Sequence, residues 1–141
     1  MKDTFDVLND VFEKFVADNE LLALLGVVDA NDMDQCDNKL RRSFADMTVV
    51  TSDEAKAVVP FVDFSFIASN SITANHLVNK ETIEFNIYSH KLSQADEIYK
   101  AIKRIIRAYY EDFLGTTPCQ AGCPIQGILR YSFRVKALVA S

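Results

Sequence analysis

Thr82-Ile83-Glu84-Phe85-Asn86-Ile87-Tyr88-Ser89, followed a few residues later by Gln94-Ala95-Asp96-Glu97-Ile98-Tyr99-Lys100-Ala101-Ile102, is the stretch that decides the fold of this chain. In its first half Ile83, Phe85 and Ile87 recur with period two, with Thr82, Glu84 and Asn86 between them. That is the pattern of a strand with one buried face and one polar face. The period then changes. Ser93 stands as an N-cap with Asp96 three residues on, a capping-box variant that leaves Asp96 and Glu97 in the positive first turn and predicts a helix from about Gln94. Ile98, Ala101, Ile102, Ile105, Tyr109 and Phe113 follow at helical spacing on one face, while Lys100, Lys103, Arg104 and Arg107 gather on the other.

Upstream, from about Thr4 to Leu25, the residues Phe5, Leu8, Val11 or Phe12, Phe15, Leu21, Leu22 and Leu25 have helical spacing, with a break expected near Asp18-Asn19 and a stop at Gly26. Asp29 to Asp37 is acidic and polar, and Lys39-Leu40-Arg41-Arg42 is basic, so residues 27–56 read as a surface excursion that can hold a short helical turn. Pro60 opens a second alternating run in which Val62, Phe64 and Phe66 oppose Asp63 and Ser65. Residues 69–80 are polar and too long for a tight turn, which predicts an extended hairpin tip. After Gly115 and Pro118, a last strand alternates Leu129, Tyr131, Phe133 and Val135 with Arg130, Ser132, Arg134 and Lys136. The outward row of that strand is cationic, as on an edge strand that blocks aggregation or meets another subunit. The expected order is α-β-β-α-β: an α+β two-layer sandwich in which two main helices pack a small, mostly antiparallel sheet.

With 141 residues, 49% of them hydrophobic and 25% charged, the chain fits a single domain spanning residues 1–141. A net charge of −5 argues against general nucleic-acid binding. Met1-Lys2-Asp3-Thr4-Phe5-Asp6 lacks the basic-then-apolar order of a signal peptide, and the apolar runs are short of a membrane span, so the expectation is a cytoplasmic product with no membrane partner. Three cysteines then read as reduced thiols.

No constellation reads as catalytic, and the expectation is a protein that is not an enzyme. Cys119 and Cys123 would need Cys36, His76 and His90 from scattered places to complete a zinc site, so neither a metal nor a cofactor is expected. His76 and His90 have no nearby nucleophile in a strained turn. Asp29, Asp32, Asp34 and Asp37 lack the central Gly and terminal Glu of a calcium loop and read as a solvated acidic face.

The run Glu81 to Ser89 followed by Ala95-Asp96-Glu97-Ile98-Tyr99-Lys100-Ala101-Ile102 resembles the tail terminator, or tail-completion, proteins of long-tailed bacteriophages and prophages. The N-terminal amphipathic helix, the strand opened by Pro60 and the basic last strand stand where that family has them; residues 27–50 and the Cys119–Cys123 loop have no counterpart. The resemblance implies a virion structural protein of the tail or neck, made in the bacterial host cytoplasm. Such a subunit forms a ring, commonly a hexamer, that caps the tail tube, ends its polymerisation and offers a head-joining surface. Its partners would be other copies of itself, the tail-tube protein and the head-tail connector protein, with DNA only as passing cargo. Asn70, Asn75, His76 and Lys80 on the hairpin tip, Lys100, Arg104 and Arg107 on the helix, and Arg130, Arg134 and Lys136 on the last strand are the expected interface residues. The alternatives are a head-to-tail connector or stopper of the same particle and, from another class, a small intracellular binding or immunity-type protein.

Overall fold

The computed structural model describes residues 4–42, 58–71, 78–109, 114–115, 118–121, 123 and 127–140. The first apolar segment forms α1 (Thr4–Val16) and α2 (Asn19–Leu25), broken at Asp18. Asp18 leaves the helical region at φ −98° and ψ 107°, and its side chain accepts the Leu21 N–H at 2.9 Å, as an N-cap does. Gly26 ends α2 at φ 80°, and the N–H of Val27 returns to the Leu22 carbonyl at 2.9 Å.

The segment expected as a surface excursion with a short helical turn carries α3 (Met33–Lys39), capped by Asp32, and, beyond that expectation, β1 (Leu40–Arg42). Cys36 and Leu40 are fully buried there. Two buried residues among so many polar ones leave too weak a period to recognise, while the exposed aspartates dominate the composition. Residues 43–57 lie outside the described part.

β2 (Phe61–Ser71) pairs antiparallel with β3 (Val78–Ser89), with a register step between Phe66 and Ala68. The ladder pairs Ser69 with Glu81, Asn70 with Lys80 and Ser71 with Asn79, so both ends of the expected tip at 69–80 are strand. These polar residues have low strand propensity, but β3 is also paired along its other edge, from Val78 opposite Ala140 to Lys80 opposite Leu138, and two-sided pairing outweighs propensity. Residues 72–77 lie outside the described part.

The next helix, α4 (Leu92–Tyr109), starts before Ser93, which lies in its first turn and is not its cap. The corner is closed from the strand side, where Ser89 Oγ donates to the Lys91 carbonyl at 2.8 Å. Ala95, Ile98, Ala101, Ile102, Ile105 and Ile106 are buried as the spacing predicts. Tyr109, expected on that face, is at the last helical position and 60% exposed, with Lys14 Nζ 4.9 Å from its ring centre. Phe113 lies outside the described part.

Two short strands, β4 (Leu114–Gly115) and β5 (Cys119–Ala121), precede β6 (Leu129–Ala140). The order across the sheet is β1-β2-β3-β6-β4, with β5 also on β6; β1 runs parallel to β2 and the other pairs are antiparallel. The last strand is therefore not a simple edge, because β5 covers Arg130 to Ser132 and β4 covers Val135 and Lys136. β4 and β5 are too short to show a period in sequence.

The described helices α1–α4 pack on one face of this mixed sheet, giving the α+β two-layer arrangement. Phe64, Phe85 and Phe133 stack across β2, β3 and β6 with centroids 5.6 and 4.9 Å apart. Phe15 of α1 meets Phe64 edge-on at 5.4 Å, and Tyr99 of α4 meets Phe133 edge-on at 4.8 Å.

Candidate functional site

The sheet's other face is where the cations of β6 stand. In register across it are Phe61, Tyr88 and Arg130; Asp63, Asn86 and Ser132; and Ser65, Glu84 and Arg134, with Lys136 opposite Thr82. β1 adds Arg41 opposite Asp63.

One end of this face is covered. Phe61 and Tyr88 are fully buried, stacked 4.6 Å apart, and packed with Ile128, Val58, Val59 and Cys123. Lys39 Nζ fixes the segment before β2 by donating to the carbonyls of Val58 and of Pro60, the latter at 3.2 Å, and burial lowers the pKa of that amine. Asp63, which the alternation predicts to face outward, is consequently only 3% exposed. Its carboxylate accepts Asn86 Nδ2 at 2.9 Å and the Tyr88 hydroxyl at 3.1 Å, and Ser132 Oγ donates to Asn86 Oδ1. Burial pushes the Asp63 pKa up to about 6 against the opposing pull of those two hydrogen bonds and of Arg130. Burial likewise raises the Tyr88 phenol.

Arg130 belongs to this network and not to an outward row: it is half-buried, and its Nε has no hydrogen-bond partner among the described residues. Arg134 and Lys136 are exposed, and Arg134 Nε lies 3.2 Å from Glu84 Oε2. The expected cationic row thus divides by place along β6: the first member is enclosed by the Phe61–Tyr88 cluster, and the other two are displayed.

The basic stripe of α4 divides as well. Arg104 Nη2 reaches both Asp18 oxygens, at 2.8 and 3.0 Å, and Glu20 at 3.2 Å, so it clamps α4 to the N-terminus of α2. Lys100 pairs with Asp96 one turn back at 2.9 Å, Lys103 lies over the Tyr99 ring, and Arg107 is exposed. A shallow groove of about 500 Å³ between α2 and α4 is lined by Glu20, Leu24, Glu97, Lys100, Ala101 and Arg104, with both charge signs.

Asp18 both caps α2 and holds Arg104. Asp18→Ala is expected to lower stability by about 1–2 kcal/mol, whereas Asp18→Asn, which keeps the cap, loses less; thermal denaturation of the two variants checks the order.

Of the hairpin residues, Asn70 and Lys80 are paired partners in the β2–β3 ladder, and Asn75 and His76 lie outside the described part. His90 Nδ1 lies 3.2 Å from the Gly127 carbonyl, tying the β3–α4 corner to the turn before β6. Cys36 is buried, with its thiol pKa raised by burial and by Asp32, Asp37 and Asp29; Cys119 is exposed and Cys123 half-buried, and all three thiols are free. Among the described residues no group of three or more His, Cys, Asp or Glu side chains is arranged to hold a metal, and no helix is long and apolar enough to cross a membrane.

The Asp63–Asn86–Tyr88–Arg130–Ser132 network is what sequence reasoning missed. Its signal was present: Phe61 and Tyr88 are aromatic residues at positions where the alternation calls for polar ones, a sign that this end of the second face is covered.

No protein-family model matches the chain, and no curated protein of similar sequence is found.

Proposed function

We propose that this chain is a structural subunit of a long-tailed phage particle, one that assembles with copies of itself into a ring on the end of the tail tube, stops tube growth and presents a surface to the head connector. The observation that carries the reading is the sheet itself. The four described helices α1–α4 pack on one face, and the other displays the cations Arg134 and Lys136, charges that suit another protein more than a small substrate. The strand-corner-helix unit on which the resemblance rests is the β3–α4 unit at the middle of this architecture. Charge on that surface would set the register and rate of docking more than its strength.

The test is tube growth. Purified tail-tube protein polymerising in the presence of the chain is expected to give short tubes of limited length, each bearing the chain at one end in electron micrographs. Tubes of unaltered length with no chain bound would contradict the proposal.

A further inference from the structure

Asp63 is a carboxylate shut into a sheet face. It is 3% exposed and lies beside the stacked Phe61 and Tyr88 rings. Among the described residues each of its oxygens accepts one hydrogen bond, Oδ1 from Asn86 and Oδ2 from the Tyr88 hydroxyl. An ionised carboxylate has about four acceptor sites, so the charged form is short of the donors that water would supply.

The charged and titratable groups around Asp63 come from four elements. Arg130 of β6 attracts the ionised carboxyl, Glu84 of β3 repels it, and the Tyr88 phenol of β3 donates to it. Arg41 of β1 stands opposite in register, but its Nε donates to the Asn38 carbonyl and its guanidinium lies over the Phe61 ring. Lys39, at the end of α3, is spent on the Val58 and Pro60 carbonyls. Burial outweighs what favours the charge.

The cover over this site comes from two short stretches. Val58 and Val59 reach the Phe61–Tyr88 cluster from just before β2, and Cys123 and Ile128 from before β6. Lys39 holds the first stretch, and His90 Nδ1 meets the Gly127 carbonyl next to Ile128. The cluster is separate from the main core, where Phe64, Phe85 and Phe133 pack with the helices. A small cluster of its own can open while the larger one stays shut.

We propose that ionisation of Asp63 lifts this cover, opening the Phe61–Tyr88 end of the sheet face to solvent while the main core stays folded. The open form lets water complete the hydrogen bonds of the carboxylate. It also bares Phe61, Tyr88 and Arg130, side chains of the kinds that anchor protein contacts. Opening grows as pH rises through about 6, because the closed form holds the Asp63 proton more tightly than a hydrated carboxyl does. The device belongs to the single chain and does not depend on assembly into a ring.

The three cysteines report on it, since Cys119 is exposed, Cys123 is half-buried against the covered cluster, and Cys36 is fully buried in the main core. Each is labelled with a pyridyl disulfide and its rate followed by mass spectrometry, in the parent and in Asp63→Asn at the same pH. Titration of the thiols, His90 and Glu84 is then common to both chains. Between about pH 5 and pH 7 the Cys123 rate of the parent relative to the variant is expected to rise ~3- to 10-fold, with the Cys36 and Cys119 ratios flat. A flat Cys123 ratio overturns the inference, because the cover then ignores Asp63. A Cys36 ratio that rises in step with Cys123 overturns it too, because the whole chain is then unfolding. Lys39→Met keeps the stem and removes the donor, and is expected to speed Cys123 labelling at least ~3-fold at both pH values with Cys36 unchanged. No gain at Cys123, or an equal gain at Cys36, overturns the inference without recourse to Asp63→Asn.

Discussion

Replacing Phe85 with alanine is expected to lower the free energy of unfolding by about 3–5 kcal/mol, a large part of the roughly 5–15 kcal/mol that holds a domain folded. Phe85 is fully buried at the middle of β3, stacked on Phe64 and Phe133, with Phe15 of α1 tilted against it at 6.1 Å. Its removal takes contacts from two neighbouring strands and a helix at once, and rings already stacked in line are poorly placed to collapse into the space. Phe66, next to the register step and 9% exposed, should cost less when truncated. Denaturant titration checks this through the midpoint at unchanged slope. A loss below about 1 kcal/mol for Phe85→Ala would mean that the aromatic stack is not the centre of the core.

Asp63 should make stability fall as pH rises, opposite to the usual behaviour of a carboxylate in a folded protein. Its pKa is 3.8 in the ordinary state and about 6 when folded, so the folded chain holds the proton more tightly than the unfolded one. The resulting stabilisation is fully present below about pH 4 and is lost as pH rises through about 6, for a total of roughly 3 kcal/mol. Asp63→Asn cannot titrate, yet its oxygen still accepts from Asn86 and its amide can donate to the Tyr88 oxygen. The stability of this variant relative to the parent should therefore rise between about pH 4 and pH 7. Taking the difference removes the contribution of Glu84 and the other shared groups. Parallel curves for parent and variant would show that the Asp63 carboxyl is not held in a desolvated site.

Legibility followed how local each cause was. Ile83, Phe85 and Ile87 announce β3 because their alternation is a property of neighbouring residues, and Asp18 announces the break between α1 and α2 because a capping side chain acts within three residues. The enclosed end of the second face was not legible, since its cover comes from Val58, Val59, Cys123 and Ile128, which are remote in sequence from Tyr88 or Phe61 or both. Arg130, Arg134 and Lys136 share one parity in sequence, and only that cover separates the first from the other two. Arg104 reads as solvent-facing because its partner Asp18 lies 86 residues away. The strand ends at Ser69 to Ser71 and Asn79 to Lys80 were hidden by their composition, which the ladder on both sides of β3 overrides.

The most direct test of the assembly reading is the mass of the species at the tube end: light scattering of the chain across a range of concentrations, alone and then with capped tubes. The account predicts a closed multiple of the 15.9 kDa subunit, formed either free in solution or on the tube as growth stops. A chain that remains a single 15.9 kDa subunit at every concentration and leaves the tube unbound would contradict it.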